Sequence, residues 1–205
     1  MAVPALKNEG FTYQDYQDWP ETERWEIIKG IPFNMSPAPL IRHQNIVLNT
    51  AFALKNELGK ECRTFIAPTD VVLDEENVVQ PDVFAVCDRS IITEKNIQGV
   101  PLLIIEVLSP STSVKDRRDK KRLYEKFGVQ EYIIIMPEYH TVERYVLTKG
   151  KYASPDIFNW DEELPLFSFD LKIPLWEIFE KDKSENENLP LPPRAKEKNK
   201  KETKG

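Results

Sequence analysis

Two acidic residues lie inside runs that otherwise read as buried β-strands, and they limit how this chain can fold. Asp82 closes the run VVQPD, and Glu106 lies in the middle of LLIIEVL. An ionised carboxylate costs several kcal/mol or more to bury unless it is paired or binds a metal. Glu106 therefore needs a buried basic partner, a cation or a locally exposed strand. For Asp82, the alternative to a functional role is an ordinary acid at a turn or strand start after proline.

The length and net charge of the chain set broad bounds on its function. At 205 residues, one domain with a full hydrophobic core is the default. A net charge of −6 argues mildly against a nucleic-acid partner, because such binding usually rests on a basic surface.

One segment is nonetheless basic, since residues 115–122 contain only two acids. The cationic side chains in this segment are Lys115, Arg117, Arg118, Lys120, Lys121 and Arg122. They form either a phosphate-binding stripe or simply a solvated helix face, and charge alone favours the second interpretation.

The sequence predicts neither export nor membrane insertion. No apolar run approaches the roughly 20 residues that span a bilayer, and residues 1–10 lack the apolar core of a signal peptide. Cys62 and Cys87 lie far apart in the chain, without metal-ligand spacing. We expect both thiols to be reduced, the protein to be cytoplasmic, and no membrane to be a partner.

The hydrophobic pattern predicts an α/β or α+β fold with a mixed central β-sheet flanked by helices. Thr12 and Asp15 resemble a capping box that opens a short helix, and a hairpin over residues 25–35 turns at Gly30. The other predicted elements are a helix over 40–58, strands over 63–67, 70–73, 79–86 and 102–108, a helix from Ser113 to Gly128, and a hairpin over 132–136 and 142–147.

The composition changes near residue 180. Residues 181–205 are rich in Lys, Glu and Asn, contain three prolines, and have almost no large apolar side chain. Such a segment buries too little apolar surface to offset its loss of conformational entropy on ordering. We therefore predict a folded domain over residues 1–180 and a disordered charged tail over 181–205.

The two buried acids suit a divalent metal. Mg²⁺ takes oxygen ligands, usually only one or two carboxylates, and leaves the remaining positions to water and substrate phosphate. Asp82 and Glu106 on adjacent strands supply the carboxylates, and the carbonyl of Val107 adds a third oxygen. Mn²⁺ is the other candidate cation, because it prefers similar ligands.

A lysine follows at a suggestive spacing. Asp116, Lys120 and Tyr124 are four residues apart, so they share one face of the helix that follows the Glu106 strand. If that face turns toward the strand end, Lys120 lies near the carboxylates and orients the attacking water. The alternative is a surface ion pair at i,i+4 beside a half-buried tyrosine.

Two further residues are candidates for supporting roles. Glu26 lies between apolar residues in WEII and is either a metal ligand or proton acceptor, or the wet face of an amphipathic strand. His43 opens the long helix, where a lone histidine is more often structural than functional.

Other chemistries find little support in the sequence. It contains no GxGxxG, P-loop, GxSxG or HExxH motif. Two histidines and two separated cysteines make a zinc site or a Ser/Cys–His hydrolase improbable.

Several ordered motifs together resemble the Uma-two family of bacterial restriction-endonuclease-like proteins. The motifs are WEIIKG, MSPAP, His43-Gln44, VQPD, PLLIIEVLSPST, the spaced Asp116, Lys120 and Tyr124, and GVQEY. The resemblance covers residues 10–180 and implies a PD-(D/E)XK nuclease core.

This resemblance assigns expected roles to particular residues. Asp82 and Glu106 would be the metal-binding acids, and Glu26 an early acid that supports the metal. The usual lysine two residues after the acid is replaced by Leu108, and Lys120 matches the members whose lysine lies on the following helix. Ile31 departs from the family pattern, which commonly has an acid after the glycine.

The sequence therefore predicts a Mg²⁺-dependent endonuclease that acts on nucleic acid, with DNA the expected substrate and a homodimer the expected assembly. In this interpretation the metal is held by Asp82, Glu106 and Val107, and Lys115, Arg117, Arg118 and Lys121 contact phosphate. The alternative is a non-catalytic domain that keeps the nuclease fold and binds nucleic acid or protein.

Overall fold

The structure is a computed structural model that describes residues 10–20, 22–35, 40–109 and 115–182. The predicted helix start at Ser113 lies outside these ranges, as do residues 183–205 of the predicted tail. The division into a folded domain and a disordered tail stays a prediction.

The described residues form short helices and many short strands. The helices are α1 (Tyr13–Gln17), α2 (Ile41–Glu57), α3 (Lys121–Phe127) and α4 (Leu175–Ile178), with a 3₁₀ turn at Arg89–Ile91 and a π-helical segment at Lys115–Lys120 that leads into α3. The strands are β1 (Trp25–Ile28), β2 (Ile31–Asn34), β3 (Arg63–Ile66), β4 (Val71–Asp74), β5 (Asn77–Val79), β6 (Val83–Val86), β7 (Ile97–Gln98), β8 (Leu103–Val107), β9 (Glu131–Met136), β10 (Thr141–Thr148), β11 (Lys151–Tyr152), β12 (Asp156–Asn159), β13 (Glu163–Leu166) and β14 (Leu171–Pro174).

Two mixed sheets organise the described part of the chain. The larger has the order β11-β10-β9-β8-β6-β3, with β12 also pairing with β10. Among the described residues, the only parallel pair of strands in this sheet is β8 with β9. The second sheet has the order β2-β1-β5-β4-β7, and β13 pairs with β14 in a hairpin. The predicted mixed sheet flanked by helices is confirmed, and β8 is central as expected.

The alternation of side chains along β8 divides the core in two. Leu103, Ile105 and Val107 pack in the cluster that contains α2, the β13–β14 hairpin and α4. Ile104 packs on the other face, in the cluster that contains α3 and residues of the smaller sheet. Because successive side chains point to opposite faces, Glu106 lies on this second face, between the two sheets.

The N-terminal segment covers the far side of β1. Gly10 and Gly30 both have positive φ, and a Cβ added to Gly30 would lie 3.2 Å from the Cα of Gly10, so both positions favour glycine. This close approach lets the Phe11 amide donate to the Gly30 carbonyl at 2.8 Å. Phe11 then packs on Ile27. Strand β1 is therefore buried on both faces, and Glu26 points toward the centre of the molecule.

The prediction of one strand over residues 79–86 was wrong. Strand β5 ends at Val79 in the smaller sheet, and β6 begins at Val83 in the larger one. Pro81 lies in the crossing between them and has no N–H to donate to a ladder, which ends the first strand. The crossing, residues 80–82, therefore joins the two sheets.

The prediction of reduced cysteines was also wrong. Cys62 precedes β3 and Cys87 follows β6, and the antiparallel register pairs Arg63 with Val86. The two cysteines are therefore opposite one another, with Cα atoms 4.1 Å apart, and form a disulfide. The sequence did not predict this disulfide, because the hydrophobic pattern does not show that β3 pairs with β6.

The cytoplasmic location rested partly on reduced thiols and stays a prediction. No helix in the described part of the chain is long and apolar enough to cross a membrane.

The disulfide predicts the thiol content of the purified protein. Thiol titration in denaturant should find no free thiol before reduction and two after it, because Cys62 and Cys87 are the only cysteines. Cys62→Ser should lower the free energy of unfolding by about 3 kcal/mol, because the bond closes a loop in the unfolded chain. Two free thiols in unreduced protein would contradict the pairing.

Candidate active site

Three separate elements bring charged side chains together between the sheets. Nζ of Lys120 lies 2.7 Å from Oε1 of Glu26 and 2.9 Å from Oε1 of Glu106. The i,i+4 neighbour Asp116 is 3.7 Å from the same nitrogen. All four side chains are buried. A strand of each sheet and the helix after β8 are thus joined through one ammonium group.

The helix places Lys120 here because its first turns are π-helical. Lys115–Lys120 form the wider turn, and α3 continues from Lys121. Such π-segments are rare and occur often at functional sites. The expectation that Asp116, Lys120 and Tyr124 turn toward the β8 acid matches the geometry, and the alternative of a surface ion pair is wrong because all three are buried.

Glu106 is held from one side only. Tyr124 donates its hydroxyl to Oε1 of Glu106 at 2.8 Å, the same oxygen that accepts from Lys120. Oε2 of Glu106 has no hydrogen-bond partner among the described residues. The carboxylate is therefore fixed in orientation while one of its oxygens remains available to a ligand.

Both carboxylate oxygens of Glu26 have partners. Its Oε2 accepts from Nζ of Lys115 at 2.6 Å, and its Oε1 accepts from the Gln80 amide at 3.0 Å as well as from Lys120. The alternative of a wet strand face is wrong, because Glu26 has no exposed surface. Glu26 thus anchors the two lysines, and its role as a metal ligand or proton acceptor stays a prediction.

Asp82 lies beside this cluster and is more open. Its Oδ2 accepts from the Val107 amide at 2.8 Å and lies 3.2 Å from Nε2 of His43. The side chain is 20% exposed, and Oδ1 has no hydrogen-bond partner among the described residues. The bond to Val107 fixes Asp82 next to the residue that follows Glu106. The structure thus brings all the predicted ligands and His43 to one place.

The predicted phosphate-binding residues do not form one exposed face. Lys115 contacts Glu26, and Arg117 pairs with Glu143 at 2.9 Å. Arg118 pairs with its neighbour Asp119, and Nζ of Lys121 lies 4.0 Å from the centre of the Tyr145 ring. The segment is not uniformly solvated, because Lys120 is buried while Arg117 and Arg118 are exposed, and its contact with phosphate stays a prediction.

Sequence reasoning missed a network behind the site. The side-chain amide of Gln80 donates to Asp70 at 2.8 Å, and its carbonyl accepts from Arg24 at 3.2 Å. Tyr16 also donates to Asp70, at 3.1 Å. These contacts hold the Gln80 backbone against Glu26. The only signal in the sequence was the position of Gln80 inside VQPD, which gives no partner.

Known proteins identify the family of this chain. A family model named Uma2, described as "Putative restriction endonuclease", matches residues 13–175. The chain belongs to the Uma2 family. The resemblance predicted from the motifs is therefore confirmed.

A relative and a solved structure extend this comparison. An uncharacterized protein of Synechocystis sp. is 30% identical to the Uma2 chain over 129 residues, which are 60% of this chain and 66% of that protein. The chain thus spans just under two thirds of that relative. The crystal structure of a "putative nuclease belonging to DUF820" from Anabaena variabilis has a TM-score of 0.69 at 22% identity, covering 83% of this chain and 98% of that one. At that identity the likeness shows the fold.

The charges of this Uma2 site are unbalanced toward acid. Burial raises the pKa of Glu106 to about 8; the neighbouring carboxylates add to this rise, and Lys120 opposes it. Burial lowers the pKa of Lys120, but the surrounding acids outweigh this effect and hold it well above its usual value. Burial raises the pKa of Glu26, yet its two lysine partners bring it below the usual value. Glu106 is thus the acid that keeps a proton most readily.

His43 responds to the same surplus of negative charge. Burial lowers the pKa of His43, but the hydrogen bond to Asp82 and the charge of that carboxylate raise it more. The pKa of His43 therefore lies above its ordinary value. Its ring lies 3.2 Å from the Asp82 carboxylate, and its supporting role stays a prediction.

The oxygen donors near Asp82 are of the kind that bind a hard divalent cation which takes few ligands from the protein. The described residues contain no group of three or more His, Cys, Asp or Glu side chains arranged to hold a metal. Oδ1 of Asp82 and Oε2 of Glu106 have no hydrogen-bond partner among the described residues, and the third candidate oxygen is the Val107 carbonyl, which His43 contacts. Two carboxylates and one carbonyl are a typical protein contribution for Mg²⁺, which keeps several waters. The absence of thiolate and the single imidazole make Zn²⁺ a poor match.

The role of Glu26 as an anchor predicts a large loss of stability on its removal. Glu26→Ala leaves Lys115 without its buried counter-charge and removes one of the partners of Lys120, and we expect the free energy of unfolding to fall by about 3–5 kcal/mol. The matched control is Glu138→Ala, because Glu138 is 67% exposed and pairs with Arg42 at 3.7 Å. That change should cost less than about 1 kcal/mol. Equal losses in urea unfolding would contradict the anchor role.

The raised pKa of Glu106 predicts a pH dependence of stability. Glu106 keeps its proton in the folded chain up to about pH 8, whereas its unperturbed pKa is 4.5. Because the folded state binds the extra proton between these values, stability falls as the pH rises through them. Glu106→Gln removes that loss, since glutamine does not ionise.

The pH effect is measured by urea unfolding of both proteins in EDTA. The stability of Glu106→Gln minus that of the wild type should be greater near pH 8 than near pH 5. A difference that does not change with pH would show that Glu106 titrates at its ordinary value in the folded chain.

Proposed function

We propose that this chain is a Mg²⁺- or Mn²⁺-dependent endonuclease of the PD-(D/E)XK type that hydrolyses phosphodiester bonds of DNA. The observation that carries the proposal is the pairing of two partly available carboxylates, Asp82 and Glu106, at the start of β6 and in β8. Membership of the Uma2 family supports a nuclease-like function.

The residues of the chain divide into those that hold a cation and those that hold the ligands. Asp82, Glu106 and the Val107 carbonyl would bind it. Such a cation, when bound, lowers the pKa of water and neutralises charge that develops on the phosphate. Tyr124 and Lys120 orient Glu106 through its Oε1. Their contact leaves Oε2 directed to the ligand side.

Lys120 has a third N–H, and we assign it to the reaction. An ammonium group has three donors, and two of them are directed at Glu26 and Glu106. Asp116, at 3.7 Å, lies beyond hydrogen-bond distance of this nitrogen. The third N–H is the donor that we assign to the attacking water or to a phosphate oxygen, where it stabilises charge in the transition state.

The exposed arginines near the site supply phosphate contacts. Arg118 has 60% of its side chain exposed, and Arg117 has 40%. The pair of Arg118 with Asp119 is exposed enough to exchange for phosphate at modest cost, whereas Arg117 would leave the buried Glu143 behind. Lys115 and Lys121 are the less accessible members of the predicted set, and they contribute long-range positive potential.

The decisive assay is metal-dependent cleavage. We expect nicking or cutting of supercoiled plasmid with Mg²⁺ or Mn²⁺, none with EDTA, and a loss of at least roughly 100-fold for Asp82→Asn. The control Asp170→Asn changes an exposed acid that belongs neither to the charged cluster nor to the basic segment, and it should cut like the wild type. Single-stranded DNA and RNA, assayed in parallel, define the substrate class.

Lys120 has a separate test. Lys120→Met should reduce cleavage by at least roughly 100-fold while binding of Mn²⁺ persists. Thermal unfolding of the same preparation checks that the protein remains folded, because the substitution leaves buried acids without a partner. Loss of Mn²⁺ binding in a folded variant would refute the assigned role and make Lys120 a support for the metal ligands.

A second candidate function is a non-catalytic binding domain. It is favoured by the ion pairs themselves, because Lys120 is 2% exposed and already joins the two glutamates. A closed network of this kind is what a scaffold that retains the fold would keep. No cutting of any substrate by folded protein, with no binding of Mn²⁺ near Asp82, would establish this function instead.

A further inference from the structure

Helix α2 has apolar side chains on two opposite faces. Its inward face is buried in the larger core cluster. Its outward face carries Ile41, Leu48 and Phe52, which are 81%, 65% and 64% exposed. With 3.6 residues per turn, these three side chains lie within roughly 40° of one another and opposite the buried face. We call them the outer stripe; a helix that is apolar on both sides is typical of one that is packed on both sides.

A cavity of about 220 Å³ lies at one end of the outer stripe. Its lining combines apolar with polar and charged side chains: Ile41, Arg42, Asn45 and Ile46 of α2, with His140, Ile178, Phe179 and Glu180. Cavities of roughly 150 Å³ are known to hold a benzene ring. The cavity therefore has the volume for one phenyl side chain, and the other end of the same stripe presents Phe52.

We propose that a second copy of this chain covers the outer stripe, in an antiparallel two-fold contact of α2 with α2. Ile41 and Phe52 are roughly 16 Å apart along the helix. If the axis passes midway between them, Phe52 of each copy meets Ile41 of the other and enters the adjoining cavity. A single two-fold rotation thus brings the Phe52 side chain of each copy to the cavity of the other, as a closed isologous interface requires.

The exposed area agrees with such a contact. Leu40 and Tyr139, at 69% and 76% exposure, extend the patch beyond the cavity end of the stripe. Arg42 pairs with Glu138 next to Tyr139, which places that turn beside α2. Together with the outer stripe these side chains expose roughly 600 Å², against about 800 Å² per partner in a standard stable interface. Polar residues at the edge of the stripe supply the remainder.

Sedimentation equilibrium tests the interface directly. The wild-type chain should be a dimer at micromolar concentration, and Phe52→Glu should raise the dimer Kd by at least roughly 10-fold, because a carboxylate would replace the ring that packs on Ile41 of the other copy. The matched control is Ile157→Glu on β12, since Ile157 is also 64% exposed and apolar but lies outside the patch. It should leave the Kd unchanged.

Cross-linking tests the register. In the proposed arrangement Leu48 lies closest to the axis, about 5 Å along the helix from the partner's Leu48. A short bis-maleimide should therefore join two Leu48→Cys chains, and should fail with Lys55→Cys, whose copies lie roughly 25 Å apart. The native cysteines are paired and do not react.

Three results would overturn the proposal. They are a monomer at all concentrations, a dimer that Phe52→Glu does not weaken, and a dimer that cross-links through position 55 and not 48. A monomer in which residues 183–205 shield the outer stripe belongs to the first case. The inference does not rest on nuclease activity, because none of these measurements uses a substrate.

Discussion

The ammonium group of Lys120 holds this structure together at its centre. It joins Glu26 from the smaller sheet to Glu106 from the larger one, at 2.7 and 2.9 Å, and its own helix lies between β8 and β9 in the chain. Without it, two buried carboxylates would face each other with only Lys115 as counter-charge, an arrangement that costs several kcal/mol. The candidate catalytic centre is therefore also a part of the core, and its geometry depends on both sheets at once.

The sequence predicted those parts of the site for which one physical rule leaves few choices. A carboxylate inside an apolar strand needs a partner, which identified Glu106. The four-residue spacing then identified Lys120 and Tyr124, because a helix puts such residues on one face. The capping box at Thr12, the length of α2 and the central position of β8 followed from equally local signals.

The parts that were missed depend on contacts between distant segments. WEII reads as a strand with one wet face, and only the packing of Phe11 on Ile27 shows that both faces are covered. The disulfide of Cys62 needs the β3–β6 register, which no local pattern contains. The basic segment is only partly solvated for a different reason, since Lys120 turns inward to the two glutamates, which charge counting along the chain does not show.

The crossing between the sheets has a consequence for how this protein tolerates change. In residues 80–82, the Gln80 amide bonds to Glu26 and the Asp82 carboxylate bonds to the Val107 amide. The length of the crossing thus fixes the separation of the two sheets, because it is hydrogen-bonded to one residue of each sheet. Most surface loops tolerate an inserted or deleted residue. In the crossing, such a change would displace Gln80 or Asp82 from its hydrogen-bond partner, and the side chains from the two sheets would no longer meet at the centre.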